Sequence, residues 1–97
     1  MCHHGHMLTI AEVRLDALGH AIADATRRRI VEHLRSHGGA TTADLAALAP
    51  TVTRFAVMKH VEVLRRAGLV RTMADGRRRR HYLEPQALTP LRDWLSS

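Results

Sequence analysis

Residues 53–84 read TRFAVMKHVEVLRRAGLVRTMADGRRRRHYLE, and this stretch decides the fold. Thr53 is placed as a helix cap, and Val57, Val61 and Leu64 follow at offsets of four and three, on one helix face. Ala67-Gly68 closes that helix, because glycine accepts the left-handed backbone that helix ends favour. Leu69–Ala74 and Arg79–Glu84 then read as two strands about an Asp75-Gly76 turn, the pattern of a hairpin. A helix stopped by glycine and followed at once by a hairpin with four consecutive arginines suits a recognition helix and its wing, both aimed at a nucleic-acid duplex.

Upstream, Pro50 breaks a short third helix capped by Thr41 or Thr42, with Leu45, Ala46 and Leu48 turned inward. Before it, Asp24 caps a second helix striped by Ile30, Val31 and Leu34 and ended by His37-Gly38-Gly39. The first helix starts near Thr9, carries Ile10, Val13 or Leu15, and Leu18 at helical spacing, and stops at Gly19. Downstream, Pro85 ends the second strand. Pro90 sits in the first turn of a last helix, edged by Leu88, Leu91 and Leu95 with Trp94 beside them. The expected fold class is mainly α with a small β-hairpin: a winged helix-turn-helix of five helices, with a two-stranded wing between the fourth and fifth. Residues 8–97 form one DNA-binding and dimerisation domain, and residues 1–7, MCHHGHM, read as a disordered tail.

A chain of 97 residues supports one core, and with a single Trp, Tyr and Phe its interior must be built from Leu, Ile, Val and Ala. So small a domain also gains stability by pairing with a copy of itself. The net charge of +6 is unevenly placed: five arginines meet five acids in residues 1–49, whereas ten basic residues meet four acids in residues 50–97. The excess lies where the helix-and-hairpin pattern lies, as a polyanion-binding surface requires. One cysteine, Cys2, excludes an internal disulfide framework and fits a reducing cytoplasm. No apolar run approaches the ~20 residues of a membrane span, and the N-terminus lacks the apolar segment of a signal peptide.

In a helix-turn-helix the second helix enters the major groove with its N-terminal residues nearest the bases. That assigns Thr53, Arg54, Phe55, Ala56, Met58, Lys59 and His60 to DNA. With Val57, Val61 and Leu64 inward, Phe55, Lys59, Glu62 and Arg66 face out, and Arg54 on the flank can reach a guanine edge or a phosphate. Phe55 either meets thymine methyls or a sugar, or folds back onto the hairpin or a neighbouring helix. Lys59 is a groove contact or an ordinary solvated lysine. His60 leans inward, as a groove contact or a hydrogen-bonded packing residue. Arg77, Arg78, Arg79 and Arg80 alternate sides along a strand with no acid before Glu84. A mobile arginine hairpin of this kind suits the duplex backbone or the adjacent minor groove, adding affinity more than sequence choice.

The segments AIADATRRRIVEHL (21–34), TTADLAAL (41–48), TRFAVMKHVEVLRRAGLV (53–70) and DGRRRRHYLEP (75–85) resemble the ArsR–SmtB family of bacterial winged-helix repressors, over about residues 8–97. The most specific pieces are the Asp-x-Thr-Arg-Arg helix start and the ending His-x-x-Val-Leu-x-x-Ala-Gly-Leu-Val before a Gly-Arg wing. The resemblance implies a homodimer that binds operator DNA and releases it when an inducer binds. It also implies that the first and last helices pack across the dimer axis, through Leu8, Ile10, Leu15, Leu18, Leu88, Leu91, Trp94 and Leu95. Those side chains fit an internal core equally well.

Many members of that family sense metals through cysteines in the third helix or acid and histidine pairs in the last. Here Thr42–Ala49 holds neither thiol nor histidine, and the last helix offers only Asp93. The remaining candidate ligands are Cys2, His3, His4 and His6, donors suited to Zn, Ni or Cu, on a tail without the supporting groups that tune a physiological site. His20, His33 and His37 read as surface or packing residues, and no cofactor is expected. No nucleophile, base or phosphate-binding loop is suggested, so the chain is not read as an enzyme. The leading reading is a sequence-specific DNA-binding repressor. Its rivals are a winged-helix module for an acidic protein or structured RNA, and a metal-binding regulator using the Cys/His tail.

Overall fold

The computed structural model describes residues 8–97; the tail and its candidate ligands Cys2, His3, His4 and His6 lie outside the described residues. Side-chain caps start the first four α-helices. Thr9 and Glu12 each accept the other's backbone N–H in a reciprocal box at the head of α1, Ile10–Ile22. Asp24 accepts from the Arg27 amide at 3.0 Å and opens α2, Ala25–Ser36. Thr41, not Thr42, caps α3 (Thr42–Ala46), boxed with Asp44. Thr53 accepts from the Ala56 amide at the start of α4, Arg54–Arg66. A Schellman motif ends α4: Leu69 N–H reaches Leu64 O, Gly68 N–H reaches Arg65 O, and Gly68 takes φ 81°. A 3-10 turn over Pro85–Leu88 leads into α5, Thr89–Ser96.

The hairpin differs from expectation in two ways. A short strand, β1 (Ala40–Thr41), joins β2 (Val70–Asp75) and β3 (Arg78–Leu83), making an antiparallel sheet in the order β1-β3-β2. Two residues show no alternation, so nothing in the sequence betrays this strand. It forms because the chain leaving α2 runs beside β3, where Gly39 N–H donates to His81 O at 2.8 Å. The turn is also one residue later than expected. Asp75 pairs with Arg78, which leaves Gly76-Arg77 as the loop, and Gly76 supplies the positive φ of 61° that a type II′ connection needs at its first position.

Gly19 does not stop the first helix, which continues to Ile22. Glycine in a helix interior costs about 0.5–1 kcal/mol, less than the ~1.5–3 kcal/mol from burying one aliphatic side chain. Leu18 and Ala21, on either side of Gly19, are both buried in the core, so packing wins. They join Ile30 and Leu34 from α2, Leu45 from α3, Val57, Val61 and Leu64 from α4, and Leu69 and Val70 in one cluster. α3 and α4, joined by the turn through Pro50, are thereby locked as a helix-turn-helix, with the sheet closing one side.

Candidate nucleic-acid interface

Burial of Val57, Val61 and Leu64 sets the roll of α4 and leaves the opposite side of its first two turns in solvent. Arg54 and Met58 lie there one turn apart, as do Phe55 and Lys59. Phe55 is 66% exposed, so it does not fold back onto the hairpin; Lys59 Nζ sits 4.8 Å from its ring centroid and holds the pair outward together. Ala56 is half-buried, and the Thr53 hydroxyl is engaged by its cap. His60 is half-buried, and its Nδ1 accepts from Arg27 Nη1 at 3.1 Å, which is the packing arrangement rather than a free groove-facing ring. Further along, Arg65 and Arg66 bind Glu62 at 2.7–2.9 Å, and their hydrogen bonds hold its carboxyl down at about 2. The one acid of α4 is therefore compensated by its neighbours, and Arg54 and Lys59 set the sign of the exposed half.

Alternation along β3 divides the wing. His81 and Leu83 share a face with their partners Thr72 and Val70, against the helices; Arg78, Arg80 and Tyr82 lie on the other, opposite Asp75, Met73 and Arg71. Arg80 is committed to the protein: Nε donates to Asp75 Oδ2 at 2.6 Å and Nη1 to Gly39 O at 2.9 Å. The bond from Arg80 lowers the Asp75 carboxyl below its usual range and raises Arg80. Arg71 pairs with Glu84 at 3.1 Å and lies over the Tyr82 ring. Arg77, Arg78 and Arg79 are exposed, and among the described residues their side chains make no hydrogen bond or ion pair. Of the four arginines read as one group, three project from the tip and one fastens the base.

That base is fixed rather than mobile. His81, 3% exposed, sits between Thr42 Oγ1 and Thr72 Oγ1, each 2.9 Å from a ring nitrogen, and so ties β3 to the first residue of α3. Burial, with Arg79 nearby, pushes the His81 pKa down, so the ring is neutral at pH 7. Sequence reasoning missed this residue and Arg27. The contacting residues are 39 positions apart for His81 with Thr42 and 33 for Arg27 with His60, beyond any local pattern. The one available sign was that strand alternation sets His81 on the same face as Leu83.

The side chains assigned to a dimer axis separate into two groups. Leu18 is a correction: at 1% exposure it is filled in by its own chain's core and has no area left for a partner. Leu8, Ile10, Trp94 and Leu95 are 55%, 74%, 60% and 69% exposed, and Leu15, Leu88 and Leu91 are half-buried. An open groove between α1 and α5 runs beneath Trp94. No described helix is long and apolar enough to cross a membrane.

An α3–turn–α4 unit with a basic wing beside an exposed, cationic second helix defines the winged helix-turn-helix class of transcription regulators. Residues 22–72 match a family model described as a helix-turn-helix domain. The chain is 44% identical over 77 residues to the HTH-type transcriptional regulator Rv2034 of Mycobacterium tuberculosis, covering 79% of this chain and 70% of that protein. Among solved structures it resembles an ArsR family transcriptional regulator, RHA00566, at 34% identity and a TM-score of 0.79, over 93% of this chain and 90% of the other. It also resembles the cadmium metal-sensor CMTR from Mycobacterium tuberculosis, at 36% identity and a TM-score of 0.61, over 81% and 80% of the two chains. The protein belongs to the ArsR–SmtB family of transcriptional regulators, whose helix-turn-helix implies DNA binding.

Proposed function

We infer that the protein is a homodimeric, operator-specific repressor. The observation that carries this reading is the pairing of two outward cationic surfaces: Arg54 and Lys59 on α4, and the unpaired Arg77, Arg78 and Arg79 at the wing tip. On α4, Arg54, Phe55 and Met58 meet base edges and sugars, while the wing tip meets phosphates of the same duplex. Dimerisation uses the exposed apolar edges of α1 and α5, where Ile10, Trp94 and Leu95 would otherwise remain in water. Regulation proceeds without a metal in the third or last helix. What supports this is the residues themselves: Thr42–Ala49 holds neither thiol nor histidine, and the last helix offers only Asp93.

Footprinting on the region upstream of its own coding sequence tests this, together with competition by random duplex and sedimentation of the free protein. An operator is expected to be preferred by ~10³ or more, with a two-copy species in solution. Equal affinity for all duplexes, or tighter binding to structured RNA, would overturn it.

A further inference from the structure

We propose that Arg27 is a positioning residue that sets the pose of the recognition helix by donating to a neutral His60. This inference rests on the operator-binding reading. Arg27, near the start of α2, spreads one guanidinium over three partners from two places in the chain. Nε donates to Ala21 O at 2.7 Å, Nη2 to His20 O at 3.0 Å, and Nη1 to His60 Nδ1 at 3.1 Å. The first two are carbonyls in the last turn of α1 and the third is on α4, so one planar fork joins the end of α1 to the base-reading helix. The geometry accepts only one state of the ring. Guanidinium has donors and no acceptor, so Nδ1 must carry its lone pair and the proton must sit on Nε2.

A second partner makes the contact conditional. Asp24 Oδ2 lies 3.9 Å from the same Nδ1. Asp24 and Arg27 are the charged groups that face the ring. From α3 and β2, which also pack on α4, no hydrogen bond or ion pair reaches it among the described residues. On protonation Nδ1 becomes a donor: it can no longer accept from Arg27, two positive groups oppose each other, and Asp24 becomes the favourable partner. His60 stands one residue after Lys59, on the turn that carries Phe55 and Lys59 outward, so changing its partner tilts that turn.

The test uses the full chain. Imidazole 15N spectra at pH 8 should show His60 as the Nε2–H tautomer, and Arg27→Lys, which keeps the charge but not the fork, should return it to a tautomer mixture. Preference for operator over random duplex, measured from pH 8 to pH 5.5, should fall about tenfold in the wild type once the Arg27 contact is lost, equivalent to about 1.4 kcal/mol. His60→Asn, whose amide oxygen can still accept from Arg27 and does not titrate, should show no such step whatever its absolute affinity. An Nδ1–H tautomer in the wild type, or an equal step in His60→Asn, would overturn the proposal. Absence of operator preference at any pH, with the tautomer as expected, would instead overturn the repressor reading and leave the Arg27 contact standing.

Discussion

Replacing Arg78 with alanine should weaken binding to every duplex by a similar factor and flatten the salt dependence, whereas replacing Arg80 should not. The magnitude follows from the wing's construction. Arg78 projects from the tip with no ion pair, its charge felt by Asp75 only at a distance, so it is available to a phosphate, while Arg80 is held by Asp75 at 2.6 Å and by Gly39 O at 2.9 Å. Each phosphate neutralised on B-form DNA adds about 0.9 to the slope of log affinity against log salt, so two copies of Arg78 in a dimer carry about 1.8. Extrapolated from 1 M to 0.15 M salt, that slope amounts to about 1.5 decades, or ~30-fold in affinity. Fluorescence anisotropy on one duplex at several salt concentrations reads the slope directly. A slope in Arg78→Ala equal to the wild type's, or an Arg80→Ala slope flattened just as much, would refute the division of the wing into a binding tip and a structural base.

Changing Arg54 to glutamine should redistribute preference among operator variants, checked by competition; uniform loss across all of them would mean that Arg54 holds a phosphate. Leu45→Ala should cost about 2–5 kcal/mol in urea denaturation, because Leu45 is wholly buried where α3 meets the core. A loss below about 1 kcal/mol would show that the site collapses around the deletion. Thr53→Ala should cost about 1 kcal/mol through the lost cap on α4 and no more than that. Stability should also fall as pH drops below 6.5, since His81 has a lowered pKa and the unfolded chain then binds more protons than the folded one. His81→Gln should remove that part of the slope in denaturation series from pH 5 to 8; an unchanged slope would mean that another group is responsible.

Much of this was readable because the relevant rules are local. Caps at Asp24 and Thr53, the helix start near Thr9, the glycine stop at Gly68 and the four-three spacing of Val57, Val61 and Leu64 each depend on residues within two turns of one another, and the structure places all of them as read. The readings that failed depend on distant parts of the chain. Gly19 reads as a stop only until the core demands Leu18 and Ala21 together. β1 exists only because another strand lies beside it, and Leu18 could be assigned to the core only once the other helices were in place. The candidate interface divides in the same way. That Arg54, Phe55 and Lys59 face outward follows from helix periodicity, whereas the commitment of Arg80 and His60 to internal partners requires Gly39 and Arg27 to arrive from elsewhere.

The pinned base of the wing bears on how DNA recognition is divided between the two elements. A freely moving arginine hairpin would lose side-chain and backbone freedom on binding, at about 0.5–1.5 kcal/mol for each long side chain immobilised. Here β3 is held on both edges by β1 and β2, His81 bridges Thr42 and Thr72, and Arg80 closes onto Gly39, whose φ of 90° is strained for any residue but glycine. Most of the ordering cost is thus met on folding, and only the tip residues Arg77, Arg78 and Arg79 remain to be immobilised by a duplex. Because His81 holds β3 to the first residue of α3, and α3 is packed on α4, the tip is also held at a set distance from Arg54 and Lys59. On the operator-binding reading proposed above, phosphate contacts made by the tip would constrain where along the groove α4 sits, so charges that read no base would still contribute to the register in which bases are read.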